Sequence, residues 1–138
     1  MILLIADIKE YLDDGSVNYL GVASDARPYY EECTALILPS YREGMPVSVM
    51  EAQATGRAVI VTNVAGCRET ARDGYNGFIV PAANADALAG KAIFMIEHPE
   101  ETRKMGENAR LFAEENFDRK KINEKVLAIS ENISEEQA

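Results

Sequence analysis

The chain has 138 residues and a formal net charge of −9 at pH 7, with 47% hydrophobic and 27% charged residues. This length suits one domain with a real core, and the acidic balance argues against nucleic-acid binding, which needs clustered Lys and Arg. The apolar opening, residues 1–6, is too short to span a membrane and lacks the basic region of a signal peptide. Basic amphipathic stretches that would bind a membrane surface are also absent from the sequence.

The two cysteines, Cys33 and Cys67, do not have the spacing of metal ligands, and the single histidine, His98, is far from both in sequence. We therefore expect no metal site and reduced thiols. Reduced thiols are typical of a cytoplasmic protein, which is the location that we expect, and the full-length protein could also be peripheral at the inner membrane.

Helices and strands alternate along the first part of the chain. The sequence predicts, in order, a helix over 5–12, a strand at 17–21, a helix over 26–34, a strand at 35–38, a helix over 46–55, a strand at 58–61, a short helix at 67–72 and a strand at 77–80. The apolar runs 35–38 and 58–61 are typical of parallel strands covered by helices on both faces. Because an α/β domain usually opens with a strand, we expect the chain to begin inside a domain.

The last third is predicted to be helical. One helix is capped by Asn84 and carries the apolar stripe Leu88, Ala92, Met95 and Ile96. A second helix starts at Pro99 and carries Met105, Ala109 and Phe112. A third is capped by Asp118 and carries Ile122, Val126, Ile129 and Ile133, and residues 135–138 are expected to form a disordered tail.

The segment 39–52 joins the carboxyl end of a buried strand to a helix, which is where ligands bind in open α/β sheets. Gly44 lets the backbone approach a ligand closely, and Pro46 suits the first position of the helix. The N–H groups of Gly44, Met45 and Val47 would then face outward at the positive helix end, forming an anion site. Two carboxylates, Glu43 and Glu51, frame this site and could accept hydrogen bonds from sugar hydroxyls. On spacing alone, ordinary exposed positions are the more common explanation for both glutamates.

These residues resemble the Glu-x7-Glu signature of the family-4 (group 1) retaining glycosyltransferases. The resemblance extends over roughly residues 15–117 and includes 17–21, 35–40, 56–62, 66–69 and 73–78 in the order and spacing of that family. It implies an α/β fold: a Rossmann-like parallel sheet forming part of the carboxyl-terminal lobe of a two-lobed, GT-B type enzyme. By the same resemblance, residues 1–138 are one partial domain that binds the donor but lacks its first strands.

The resemblance also implies roles for individual residues. Glu43 would contact the transferred sugar as the catalytic carboxylate, and Glu51 would bind the ribose hydroxyls of the nucleotide sugar. The amides at Gly44, Met45 and Val47 would hold sugar or diphosphate oxygens. The other residues implied to lie at the donor are Ser40 and Arg42 in the nucleotide-sugar site and Gly21 and Val22 in the base pocket.

The implied reaction transfers a sugar, with retention, from a nucleotide-diphosphate sugar. A UDP-sugar is favoured, and the pathway would be the synthesis of bacterial surface polysaccharide. The sequence contains no Asp-x-Asp motif to hold a metal against the diphosphate, so we expect no cofactor. A lipid-linked or saccharide acceptor would bind through an amino-terminal lobe outside this chain, and we expect the chain alone to be inactive.

In this family the strand order is 3-2-1-4-5-6, and the strands present here would be three to six. The sheet would then be interrupted between 17–21 and 35–38, which leaves backbone groups unpaired. We therefore expect a homodimer or a strand-exchanged assembly.

Three other classes of protein fit some of these observations. A synthase of the glycogen or sucrose type shares the Glu-x7-Glu feature. A signalling receiver domain has a similar length but needs a phosphorylatable Asp at a strand end, and neither Asp7 nor Asp25 is so placed. A Rossmann-like interaction module without catalysis also remains open.

Overall fold

Three short parallel strands form the centre of the protein, in a computed structural model that describes residues 8–124 and Leu127. The strands are β1 (Ala35–Leu38), β2 (Ala58–Thr62) and β3 (Gly77–Val80), and they lie side by side in chain order. Ala35 pairs with Ala58 and Val59 pairs with Gly77, both in parallel register. The three predicted strands in this part of the chain are confirmed, with β2 one residue longer.

Helices connect and cover the strands. They are α1 (Lys9–Asp13), α2 (Arg27–Glu32), α3 (Val47–Ala54), α4 (Ala85–Glu97) and α5 (Pro99–Asn116), with a short 3-10 helix at Arg68–Thr70 and a helical stretch at 119–124. The predicted caps are confirmed at Asn84, whose side chain accepts a hydrogen bond from the Ala87 amide, and at Asp118, which accepts one from the Lys120 amide. None of the described helices is long and apolar enough to cross a bilayer.

β2 is the central strand, and all five of its residues are buried. Ala58 and Ile60 pack with Phe78, Met95 and Met105 on one face of the sheet. The alternate residues of β2, Val59 and Val61, pack on the other face of the sheet with Val49, Cys67 and Ala71. A parallel strand covered on both faces needs apolar side chains in both directions, and each fully buried Val or Ile contributes about 1.5–3 kcal/mol.

Two close backbone approaches fix how these elements pack. A β-carbon on Gly77 would lie 1.9 Å from the Val59 carbonyl oxygen, and one on Gly106 would lie 2.3 Å from that of Gly56. Gly106 therefore lets α5 contact the turn that precedes β2. Gly56 itself has a φ of 75°, as expected for a residue that follows the carboxyl end of a helix.

The prediction of a strand at 17–21 is wrong. Residues 17–23 have no regular secondary structure, and their one backbone hydrogen bond to another element within residues 8–124 runs from the Val17 amide to the Tyr11 carbonyl. A strand needs a neighbour with which to pair, and the apolar side chains of this segment are exposed instead. The interruption expected between 17–21 and 35–38 is therefore also wrong, because residues 17–21 add no strand to the sheet and β1, β2 and β3 lie side by side. β1 is consequently an edge strand within the described residues.

The apolar stripe predicted on α4 is wrong at one end, because Ile96 is 76% exposed while Met95 is buried. The stripe on α5 is confirmed, since Met105, Ala109 and Phe112 are all buried. Residues 5–7 of the predicted helix 5–12 lie outside the described residues. The same is true of Val126, Ile129, Ile133 and the tail 135–138.

Candidate functional site

The loop between β1 and α3 is anchored to the end of β2. The Ser40 hydroxyl donates a hydrogen bond of 2.7 Å to Oε1 of Glu43. The Ser40 carbonyl in turn accepts a hydrogen bond from the Thr62 hydroxyl, on the last residue of β2. Glu43 is exposed, but its carboxylate is oriented by a residue that is fixed to the sheet.

Gly66, in the turn after β2, packs against the same loop. Its φ is 88°, and a β-carbon at this position would lie 1.8 Å from the Gly44 carbonyl oxygen and 2.6 Å from that of Glu43. Only glycine permits both this conformation and this approach. Gly66 is a site residue that the sequence reasoning missed, although its place in the segment 66–69 had marked it as part of the family resemblance.

A local hydrogen bond holds the Gly66 turn in place. The Gly66 amide donates to Oε2 of Glu69 over 2.7 Å. Hydrogen bonds from the backbone amides of Glu69 itself and of Gly66 hold the pKa of the Glu69 carboxyl below its ordinary value. Glu69 therefore stays ionised and keeps its acceptor at neutral pH.

The amino end of α3 presents three backbone donors. Pro46 is the residue before the helix, with a φ of −73° and a ψ of 113°, so the prediction that it occupies the first helical position is wrong by one residue. Within residues 8–124, the amides of Gly44, Met45 and Val47 donate no hydrogen bond, and a β-carbon at Gly44 would meet no atom within 4 Å. These donors lie at the positive end of the helix dipole, which favours an anion.

Glu51 lies on α3, one turn after Val47, and both residues are exposed on the same side of the helix. Its Oε2 accepts a hydrogen bond of 3.2 Å from the hydroxyl of Tyr30 on α2. Tyr30 is 8% exposed, and burial, followed by the charge of Glu51, raises the pKa of its phenol. Glu51 also lines a cavity of about 330 Å³ between α3 and α5, together with Met50 and Phe117.

The remaining predicted site residues are exposed. Arg42 and Met45 are exposed in the loop, and Arg42 makes no ion pair with any described residue. Gly21 and Val22 belong to the irregular segment that leads into α2, and Val22 is 98% exposed. Their place in a base pocket stays a prediction, as does a common cleft for Glu43 and Glu51.

Size alone does not identify the site. A larger cavity, about 680 Å³, lies at the amino ends of the strands beside Gly56 and Arg57. Two of the arginines that line it are already paired, Arg103 with Glu100 and Glu107, and Arg110 with Glu114. Among residues 8–124 and Leu127, no three His, Cys, Asp or Glu side chains come together as a metal site would require.

A parallel sheet with a ligand loop at its carboxyl edge is the architecture of one lobe of a GT-B glycosyltransferase, and the solved structures that this chain resembles have that fold. Residues 4–112 match the model of the family described as Glycosyl transferases group 1, and the chain belongs to that family.

Two curated bacterial relatives illustrate the match. The N,N'-diacetylbacillosaminyl-diphospho-undecaprenol alpha-1,3-N-acetylgalactosaminyltransferase of Campylobacter jejuni is 38% identical over 100 residues, which is 72% of this chain and 27% of the relative. The capsular polysaccharide biosynthesis glycosyltransferase CapM of Staphylococcus aureus is 32% identical over 114 residues, which is 80% of this chain and 30% of the relative. The chain thus spans about a third or less of the length of these relatives.

Among solved structures, Alr3699/HepE from Anabaena in complex with UDP superposes with a TM-score of 0.83 at 25% identity, over 94% of this chain and 35% of that protein. The same protein has also been solved in complex with UDP-glucose.

Proposed function

We propose that this chain forms the donor-binding half of a retaining glycosyltransferase site, which transfers a sugar from a nucleotide-diphosphate sugar to an acceptor. The observation that carries the proposal is the amino end of α3, where the amides of Gly44, Met45 and Val47 donate no hydrogen bond to residues 8–124 and lie in sequence between two exposed glutamates. Such an end can neutralise a diphosphate, and carboxylates can receive the hydroxyls of sugars on either side of it.

Each residue has a role in this proposal. Glu51 binds the ribose hydroxyls, and Glu43 binds the transferred sugar and stabilises the charge that develops as the bond to the diphosphate breaks. Ser40 orients Glu43, because its hydroxyl is bonded to that carboxylate. Arg42 supplies a cation for the diphosphate, and Gly21 and Val22 contact the base.

We propose that amides and cations, rather than a bound metal, compensate the charge of the leaving diphosphate. The structures of Alr3699/HepE with UDP and UDP-glucose support a uridine nucleotide as the donor. The names of the Campylobacter and Staphylococcus relatives support a role in bacterial surface polysaccharide synthesis, with a lipid-linked or saccharide acceptor. The acceptor would be bound by a second lobe, since the relatives are about three times as long as this chain.

Titration of the ¹⁵N-labelled chain with UDP, followed by amide chemical shifts, tests the location of the site. We expect the largest shifts at Gly44, Met45, Val47 and Glu51, with a dissociation constant of about 1 mM or weaker, because helix-end contacts contribute only about 0.3–1 kcal/mol each. Parallel titrations with GDP and ADP measure the preference for the base. Shifts centred on Arg57 and Arg103, around the opposite cavity, would overturn the assignment.

A kinetic experiment tests the two glutamates in the full-length gene product. We expect Glu51→Ala to raise KM for the donor and Glu43→Ala to lower kcat, since the first contacts the nucleotide and the second the reacting sugar. Glu97→Ala, at the exposed end of α4, is the control. Unchanged kinetics in both variants, with normal folding, would contradict the roles proposed here.

A further inference from the structure

The Glu51 carboxylate has one protein partner among the described residues, and that partner is buried. The Tyr30 hydroxyl donates to Oε2 over 3.2 Å, across 21 residues of sequence. Oε1 has no hydrogen bond to any residue in 8–124, and the glutamate side chain is exposed. A buried, fixed donor thus contacts one oxygen of an exposed acceptor and leaves the other oxygen open.

Tyr30 is well suited to hold another side chain in place. Its ring is buried where α2 packs against α3, its amide donates to the Ala26 carbonyl, and its own carbonyl accepts a hydrogen bond from the Cys33 thiol. A tyrosine has two side-chain torsions, and burial fixes both. An exposed glutamate has three torsions and samples several rotamers unless a partner selects one.

We propose that Tyr30 is a positioning residue for nucleotide recognition: its hydroxyl orients the Glu51 carboxylate so that the free oxygen meets the ribose hydroxyls of the donor. The inference rests on the proposed role of Glu51 and adds a residue that acts through it. Tyr30 touches no ligand in this arrangement. Its contribution is to restrict the rotamers of Glu51 before the donor binds, so that less side-chain entropy is lost on binding.

The test compares UDP with an analogue that lacks the 2′ and 3′ hydroxyls of the ribose. Calorimetric titration of the full-length gene product with UDP and with 2′,3′-dideoxy-UDP gives two dissociation constants for each variant. We expect Tyr30→Phe to weaken UDP binding about three- to tenfold, the cost of ordering one side chain, and to leave dideoxy-UDP binding unchanged. In a Glu51→Ala background, Tyr30→Phe should have no further effect on either nucleotide.

Tyr29→Phe is the matched control, because Tyr29 is adjacent, 40% exposed, and its hydroxyl has no partner in the described part of the chain. It should leave both constants unchanged. If Tyr30→Phe does not fold, 3,5-difluorotyrosine at position 30 keeps the ring and lowers the phenol pKa. UDP binding should then weaken as pH rises and the phenol loses its proton, while dideoxy-UDP binding should not.

Different results would contradict the positioning role of Tyr30 and the ribose-binding role of Glu51. Equal weakening of both nucleotides by Tyr30→Phe, or no weakening of either, would overturn the positioning role while leaving that of Glu51 intact. If Glu51→Ala itself weakened both nucleotides equally, or neither, the ribose role of Glu51 would be wrong.

Discussion

The α-carbon of Gly66 faces the carbonyl oxygen of Gly44 so closely that a β-carbon would lie 1.8 Å from that oxygen. The turn after β2 thus determines where the loop after β1 lies, and with it the free amides at the start of α3. The loops that follow two neighbouring strands thereby form the candidate site together, at the carboxyl ends of those strands.

Substitution of Gly66 tests this contact. We expect Gly66→Ala to lower the free energy of unfolding by about 2–4 kcal/mol, because it combines a positive φ with a backbone clash. UDP binding should weaken as well, since the Glu43–Gly44 carbonyls must move. Urea unfolding and the amide-shift titration measure the two effects.

Gly74→Ala is the matched control for the conformational part of that loss. Gly74 has a φ of 72°, close to that of Gly66, but a β-carbon there would meet nothing within 4 Å. It should cost only about 1–2 kcal/mol and leave UDP binding unchanged. Equal losses in the two variants would mean that the Gly66–Gly44 contact does not constrain the loop.

Ser40 offers a milder test of how Glu43 is oriented. We expect Ser40→Ala to lower kcat of the full-length gene product about three- to tenfold, because Glu43 would lose the partner that selects its rotamer. Glu43→Ala should lower kcat further, and the double variant should resemble Glu43→Ala alone. Additive losses would show that Ser40 acts independently of Glu43.

Alkaline pH should destabilise the fold through a buried thiol. Cys67 is 0% exposed, and burial raises the pKa of its thiol above the ordinary 9.0, with a further contribution from the Glu43 charge. The folded state therefore keeps the proton that the unfolded state loses. Stability from this group is fully present below pH 9 and falls as pH rises from there through the folded pKa.

Unfolding free energies measured from pH 7 to pH 11 check this expectation. Cys67→Ala should reduce the slope of the alkaline loss, even though the smaller side chain lowers stability at every pH. The remaining slope includes Tyr30, whose pKa is also raised by burial. An identical slope in Cys67→Ala would show that the thiol does not titrate in this way.

Self-association is expected at the free edge of β1. β1 pairs with β2 alone among the described strands, Ile37 on this strand is 41% exposed, and Ile93 and Ile96 are exposed on α4. Unpaired strand edges beside apolar side chains invite pairing with another copy. We therefore expect a dimer or larger assembly of the chain in light scattering at tens of micromolar.

Ile37→Lys should shift that equilibrium toward monomer, because a charge on an edge strand opposes pairing. Leu111→Lys is the control, since it removes an apolar side chain that is more exposed than Ile37 from α5. A monomeric wild-type chain would contradict the expected assembly, and an equal response to the two substitutions would place the contact elsewhere.

Features that depend on nearby residues in the sequence were predicted correctly, and features that depend on distant neighbours were not. The strands at 35–38, 58–61 and 77–80 were predictable because continuous apolar runs between turn residues are local signals. The segment 17–21 has the composition of a strand, but a strand exists only when paired, and pairing depends on neighbours. Ile96 has the helical spacing of a buried residue on α4. Spacing does not show how far the neighbouring elements extend over that face of the helix.

The same distinction applies to the candidate site. Glu43, Gly44 and Glu51 were identified from their spacing in one continuous segment. Gly66 and Tyr30 contact that segment across more than twenty residues of sequence in each case, and spacing alone has no means of revealing such contacts. The family resemblance indicated the region around Gly66, but the reason for a glycine there is steric and only the fold shows it.

Strand order that follows chain order also has a kinetic consequence. Each strand pairs with the previous one, and the paired residues Ala35 and Ala58, or Val59 and Gly77, are only about twenty residues apart. Such short closures cost little loop entropy, so β2 can dock on β1 and β3 on β2 as each leaves the ribosome. Both turns that meet at Gly66 and Gly44 lie in the part of the chain that is synthesised before α4 and α5.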